Sequence, residues 1–138
     1  MSKPASLERR PSILVVEDEP MISDVAVEVL AEQGFEVRAV ANARDALRCL
    51  EAGAPIDVLF TDVNLPGAMD GAALARRARE LRPDLSIIYT SGRRSKIEHM
   101  EPVEGSMFVA KPYDPFRIGA LLDYIVAARK ITAPRKIA

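Results

Sequence analysis

Five short apolar runs punctuate the chain: "SILVV" (12–16), "EVRAV" (36–40), "DVLFT" (57–61), "SIIYT" (86–90) and "SMFVA" (106–110). Most are continuously apolar rather than alternating, the pattern of strands buried on both faces in a parallel sheet covered by helices. The second run alternates more, which predicts an edge strand. Between the runs the spacing turns helical. Met21 to Gln33 carries Ile22, Val25, Val29 and Leu30 in its apolar set, with Gly34 as a natural stop. Asn42 predicts a capped helix bearing Ala43, Ala46, Leu47 and Leu50 and ending near Gly53. A third helix opens at Asp70-Gly71, with Leu74, Ala78 and Leu81 inward, Arg76, Arg77 and Arg79 outward, and Pro83 closing it. Residues 94–101 are weakly patterned and suit only a short helix, limited by Pro102. Asp114 caps the last helix, with Pro115 at its first position and Ile118, Leu121, Leu122 and Ile125 on one face.

A strand followed by a helix, five times over, predicts an α/β fold: a doubly wound, five-stranded parallel sheet with helices on both faces and right-handed crossovers. The pattern spans residues 12–129. Residues 1–11 and 130–138 fall outside it and are expected to be a loose extension and a loose tail. Arg129, Lys130, Arg135 and Lys136 read as solvated basic residues of that tail.

Composition narrows the class. The 138 residues suit one domain, and 49% hydrophobic with 28% charged residues suit a globular protein with a core. A formal net charge of -1 favours neither nucleic acid nor an anionic membrane. No apolar run approaches the roughly 18 residues of a membrane span, and the start has no signal-peptide character, so a cytoplasmic location is expected. The single Cys49 sits in a helical apolar pattern and reads as packing. His99, the one histidine, reads as a surface residue.

Chemistry concentrates at the ends of the runs. Glu17 and Asp18 leave the first run, and Asp62 leaves the third within "FTDVNLPGAMDG". Ligands of open parallel sheets bind beyond the carboxyl ends of the strands, where the winding reverses. If the first and third strands are neighbours, three carboxylates meet in one crevice. Two like charges about 4 Å apart repel by ~1 kcal/mol in water and ~4 kcal/mol at an effective dielectric near 20, so something positive should offset them. A hard divalent cation such as magnesium suits an oxygen-only donor set, and no His/Cys cluster competes for a softer metal. Glu19, just before Pro20, reads as a rim residue. The fourth run brings the hydroxyls of Thr90 and Ser91 to the same edge, and the fifth brings Lys111, a compact charge suited to a phosphoryl oxygen.

The motifs "ILVVEDEP", "LFTDVNLPGAMDG", "IIYTSG" and "FVAKPY", in this order and spacing, resemble the receiver domain of two-component response regulators over residues 12–128. The resemblance implies a flavodoxin-like sheet of order 2-1-3-4-5. It implies that Asp62 accepts a phosphoryl group from a sensor histidine kinase or histidine phosphotransfer protein. Magnesium, with manganese as a substitute, would be held by Glu17, Asp18, Asp62 and the backbone carbonyl of Asn64. Ser91 matches the switch hydroxyl, Lys111 the phosphate contact, and Phe108 the switch aromatic, here without the phenol that is frequent in the family. The Lys111–Pro112 peptide is expected to be cis. Asn64 and Arg93 stand where residues tune the lifetime of the acyl phosphate. The loop after Asp62 is one residue longer than the common form, and the poor helix at 94–101 weakens the case for dimerisation through that face. A stand-alone receiver, or one cut from a hybrid kinase, with output through a downstream protein, is the expected setting. It needs no nucleic acid or membrane.

Three other readings compete. A flavin-type mononucleotide binder needs a Gly/Ser/Thr-rich loop after the first strand, where this chain has "EDEP". A phosphohydrolase using a phosphoaspartate needs a second acid or base beside the nucleophile, and "TDVN" offers none two residues on. A receiver-like interaction module that is never phosphorylated would not need the full residue set present here.

Overall fold

The computed structural model describes residues 10–92 and 100–137, with side chains described as far as residue 129. Strands β1 (Ser12–Val16), β2 (Glu36–Val40), β3 (Val58–Asp62), β4 (Ser86–Ser91) and β5 (Met107–Ala110) alternate with helices α1 (Pro20–Glu32), α2 (Ala43–Glu51), α3 (Gly71–Leu81) and α4 (Pro115–Ile137). All pairings are parallel and the sheet order is β2-β1-β3-β4-β5, the doubly wound arrangement expected. The expected extension, the helix at 94–101, Arg93 and His99 fall wholly or largely outside the described residues.

Parity along the strands sorts the core into two layers. Ile13, Val15, Val58, Phe60 and Ile88 face Leu30 of α1 and Ile118, Leu122 and Ile125 of α4. Leu14, Val16, Leu59, Ile87 and Tyr89 face Ala43, Ala46 and Leu50 of α2 and Leu74, Ala75 and Ala78 of α3. Every residue of β1 and β3 is buried, as their unbroken apolar runs require. Cys49 packs against the second layer as read.

The helix starts follow the capping residues. Asn42 Oδ1 accepts from Asp45 N at 2.8 Å, Asp70 Oδ1 from Ala73 N at 2.9 Å, and Asp114 Oδ1 from Phe116 N at 2.9 Å. Among the described residues, no helix is long and apolar enough to cross a membrane.

Four expectations need correction. Strand β5, at the edge that the order 2-1-3-4-5 gives it, is not buried on both faces as its apolar run suggested: Phe108 and Ala110 are exposed, with β4 its one partner in the sheet. Helix α1 buries Ser23, Ala26 and Leu30, and leaves Val25 half exposed; its small residues let the helix lie close on the sheet. Arg129 is no tail residue, since its Nη1 donates to Asp57 O at 2.9 Å. The last helix continues to Ile137 through the stretch expected to be loose. Pro134 lies inside it; proline removes one N–H, yet its φ is a helical one.

Candidate functional site

Strand β1 ends at Val16, and the chain turns at once. Glu17 N donates to Val40 O at 3.1 Å, and Glu17 Oε2 accepts from Glu19 N at 3.2 Å, closing the turn into Pro20. The Glu17 carboxylate is thereby folded inward and buried, while Asp18 stays exposed. Because β1 and β3 are neighbours, Asp62 at the end of β3 arrives beside them. Glu17, Asp18 and Asp62 each offer a carboxylate oxygen, all within 4.8 Å of one another.

Lys111, just past β5, reaches back over this cluster. Its Nζ donates to Asp62 Oδ2 at 2.7 Å and lies 3.0 Å from Glu17 Oε1 and 3.9 Å from Glu19 Oε1. The Glu17 contact is a close ion pair not aligned as a hydrogen bond. Asp62 Oδ1 accepts from Asn64 N at 2.9 Å, so both oxygens of this buried carboxylate are engaged. The Lys111–Pro112 peptide is cis, as expected.

The electrostatics follow from burial and charge. Burial pushes the Glu17 carboxyl above its ordinary value, and Lys111 only partly offsets this. Burial works against the Lys111 ammonium, but its hydrogen bond to Asp62 and the negative charges of Asp62 and Glu17 outweigh it and raise its pKa. Burial, then the negative charge of Glu17, pushes the Tyr113 phenol up to about 12. Among the described residues, one ammonium faces three clustered carboxylates, an imbalance that a hard, oxygen-seeking cation would correct. The donor chemistry of the site fits magnesium.

The expected residues therefore fall into two groups. Glu17, Asp18, Asp62 and Lys111 converge, with Asn64 on their rim. Ser91 is buried beside them, its Oγ accepting from Asn64 Nδ2 at 3.4 Å. Phe108 stands apart at 37% exposure, its ring lying on Tyr89 with centroids 4.9 Å apart and planes 26° from parallel.

Sequence reasoning missed several supports. Tyr89 is fully buried two residues before Ser91, and its hydroxyl accepts from Val103 N at 3.1 Å. It was legible only as the one aromatic in an aliphatic strand. Thr61 Oγ1 donates to Asp62 O at 2.9 Å. Gly71 lies against the same carbonyl, where a Cβ would overlap Asp62 O, and its N donates to the next carbonyl, Val63 O, at 2.8 Å. The phosphoacceptor candidate is thus gripped through its backbone as well as its carboxylate. The ring of Tyr113 packs edge-on against Phe60 at 5.2 Å.

Comparison with known proteins gives the family and the fold. The family profile of the response regulator receiver domain matches residues 13–123. The transcriptional regulatory protein AruR of Pseudomonas aeruginosa is 34% identical over 111 residues, which are 76% of this chain and 45% of that protein. The crystal structure of a response regulator receiver protein from Sinorhizobium medicae superposes with a TM-score of 0.80 at 30% identity, covering 87% of this chain and 97% of that one. The receiver domain of the hybrid histidine kinase CckA superposes with a TM-score of 0.70 at 31% identity, over 82% of this chain and 96% of that one. The chain thus spans less than half the length of AruR, and the region shared with the sensor kinase CckA of Brucella abortus is 10% of that kinase.

Proposed function

Because the chain belongs to the response regulator receiver family of two-component systems, we propose that Asp62 is its phosphoacceptor. The family is one of signalling phosphoacceptor domains that bind Mg2+ at an acidic pocket and interact with histidine kinases or phosphotransfer proteins. The observation that carries the assignment is the contact of Lys111 Nζ with Asp62 Oδ2 at 2.7 Å, inside a trio of acids.

In this reading an oxygen of Asp62 attacks the phosphorus of a phosphohistidine in line. The P–N bond breaks and the imidazole leaves with its electron pair. The product is an acyl phosphate on Asp62. Lys111 moves from the carboxylate to an oxygen of the transferred group, and Ser91 donates its hydroxyl to another. Glu17, Asp18, Asp62 and the Asn64 carbonyl would hold magnesium, or manganese in its place. When bound, the ion neutralises charge that develops on the phosphoryl oxygens. Phe108 serves as the aromatic that responds to Ser91 and changes the surface around β5. The donor is a sensor histidine kinase or a histidine phosphotransfer protein, and the output is a contact with a downstream protein. We place the reaction in the cytoplasm, without direct contact to nucleic acid or membrane.

The test is intact mass after exposure to acetyl phosphate, with and without Mg2+, for wild type and Asp62→Ala. A magnesium-dependent gain of one phosphoryl group, labile to base and absent from Asp62→Ala, is the expected result. A gain that persists in Asp62→Ala overturns the assignment. No gain from acetyl phosphate or from a phosphohistidine donor leaves a receiver-like interaction module.

A further inference from the structure

Asn64 touches both reacting partners of the proposed site. Its backbone N–H donates to Asp62 Oδ1 at 2.9 Å, and its side-chain Nδ2 donates to Ser91 Oγ at 3.4 Å. The first bond ties the residue to the phosphoacceptor, so Asn64 keeps station with Asp62. The second crosses to β4, to a hydroxyl 27 residues away that is almost fully buried. A hydroxyl has one proton to give and two lone pairs. When an amide N–H occupies a lone pair, the O–H must point away from that amide. Accepting one bond also polarises a hydroxyl into a stronger donor. At 3.4 Å the contact is longer than the usual range of about 2.7–3.2 Å, so it is weak as it stands and has room to tighten.

We propose that the Asn64 side-chain amide is a positioning group for Ser91, setting its hydroxyl as a donor toward the group carried on Asp62. The proposal rests on the phosphoacceptor reading above. It gives the side chain a task separate from the backbone carbonyl assigned to the metal. It also explains why an amide suits the position: a carboxylate there would accept the Ser91 proton and turn the hydroxyl the wrong way.

The experiment is a double-mutant cycle read by the Mg2+-dependent binding of beryllium trifluoride, a tetrahedral mimic of the acyl phosphate. Dissociation constants are measured for wild type, Asn64→Ala, Ser91→Ala and the double variant, with urea unfolding to verify that each folds. Asn64→Ala is expected to weaken binding about threefold to tenfold, the range of one hydrogen bond. In the Ser91→Ala background the same change should cost nothing further, whereas Ser91→Thr, which keeps the hydroxyl, should preserve the Asn64 effect. Equal losses in both backgrounds, or unchanged or tighter binding in Asn64→Ala, overturn this proposal alone. Failure of the wild type to bind more tightly than Asp62→Ala overturns the phosphoacceptor reading and this proposal together.

Discussion

Lys111 holds Asp62 Oδ2 at 2.7 Å while Asn64 N holds Oδ1 at 2.9 Å, so the carboxylate is fully engaged before any phosphoryl group arrives. The ammonium is therefore a resident counter-ion, and under the proposed phosphoacceptor role of Asp62 it would exchange one acceptor for another during transfer. Its position across Glu17 as well lets one cation hold two buried acids. Removing it would strand both.

Glu17 gives a stability test with a definite sign. Burial raises its pKa above 4.5, with the Lys111 contact only partly offsetting this. A raised pKa means that its contribution to stability is complete below 4.5 and is lost as pH climbs through the raised value. Without metal, Glu17→Gln should therefore be more stable than wild type at neutral pH, and the two should converge in acid. Mg2+ should stabilise wild type more than Glu17→Gln. Urea unfolding across pH, with and without Mg2+, measures all three; a variant weaker than wild type at neutral pH in the absence of metal would count against the burial argument.

Tyr113 gives the alkaline counterpart. Its phenol is pushed from 10.0 up to about 12, chiefly by burial and then by Glu17. The folded state keeps the proton that the unfolded state gives up, so stability is complete below 10.0 and declines between there and about 12. Tyr113→Phe should flatten that decline, and the late phenolate step in the ultraviolet titration of wild type should vanish in the variant.

Gly71→Ala should act on the site through the backbone. The added methyl would collide with Asp62 O, which also accepts from Thr61 Oγ1. Overpacking of this kind costs about 1–3 kcal/mol. Urea unfolding should show that loss, and acetyl phosphate labelling of the folded fraction should slow by an order of magnitude or more. Labelling at the wild-type rate would mean that α3 yields without disturbing Asp62.

Tyr89→Phe separates the stack from the hydroxyl. Phenylalanine keeps the ring against Phe108 but leaves Val103 N without its acceptor. Val103 is only partly buried, so water can take up its N–H and the unfolding free energy should drop by about 0.5–1.5 kcal/mol, the net worth of one hydrogen bond. Hydrogen exchange at the Val103 amide should quicken well beyond the global change, and exchange that follows only the global change would show that the bond is not maintained in solution.

The order of elements and most of the candidate site were legible because each of its charged side chains leaves the end of an apolar run: Glu17 and Asp18 after β1, Asp62 at the end of β3, Lys111 after β5. What was not legible depends on neighbours distant in sequence. An apolar run such as "SMFVA" has the same composition whether one strand or two flank it, so the exposure of Phe108 did not follow from it. Helix α1 turns Ser23 and Ala26 inward because closeness of approach outweighs the hydropathy of Val25. Tyr89 reads as bulk alone until Val103, 14 residues on, is seen to donate to its hydroxyl.

The segment from Asn64 to Asp70 is clamped at both ends, by Asn64 N on Asp62 and by Gly71 N on Val63. Its middle is different. Gly67 takes a φ of +98° with nothing within 4 Å of where a side chain would begin. For anyone wishing to splice a reporter peptide beside the pocket, this is the place to cut: the insertion would hang from a turn whose two anchors, and with them the acid between, stay where they are.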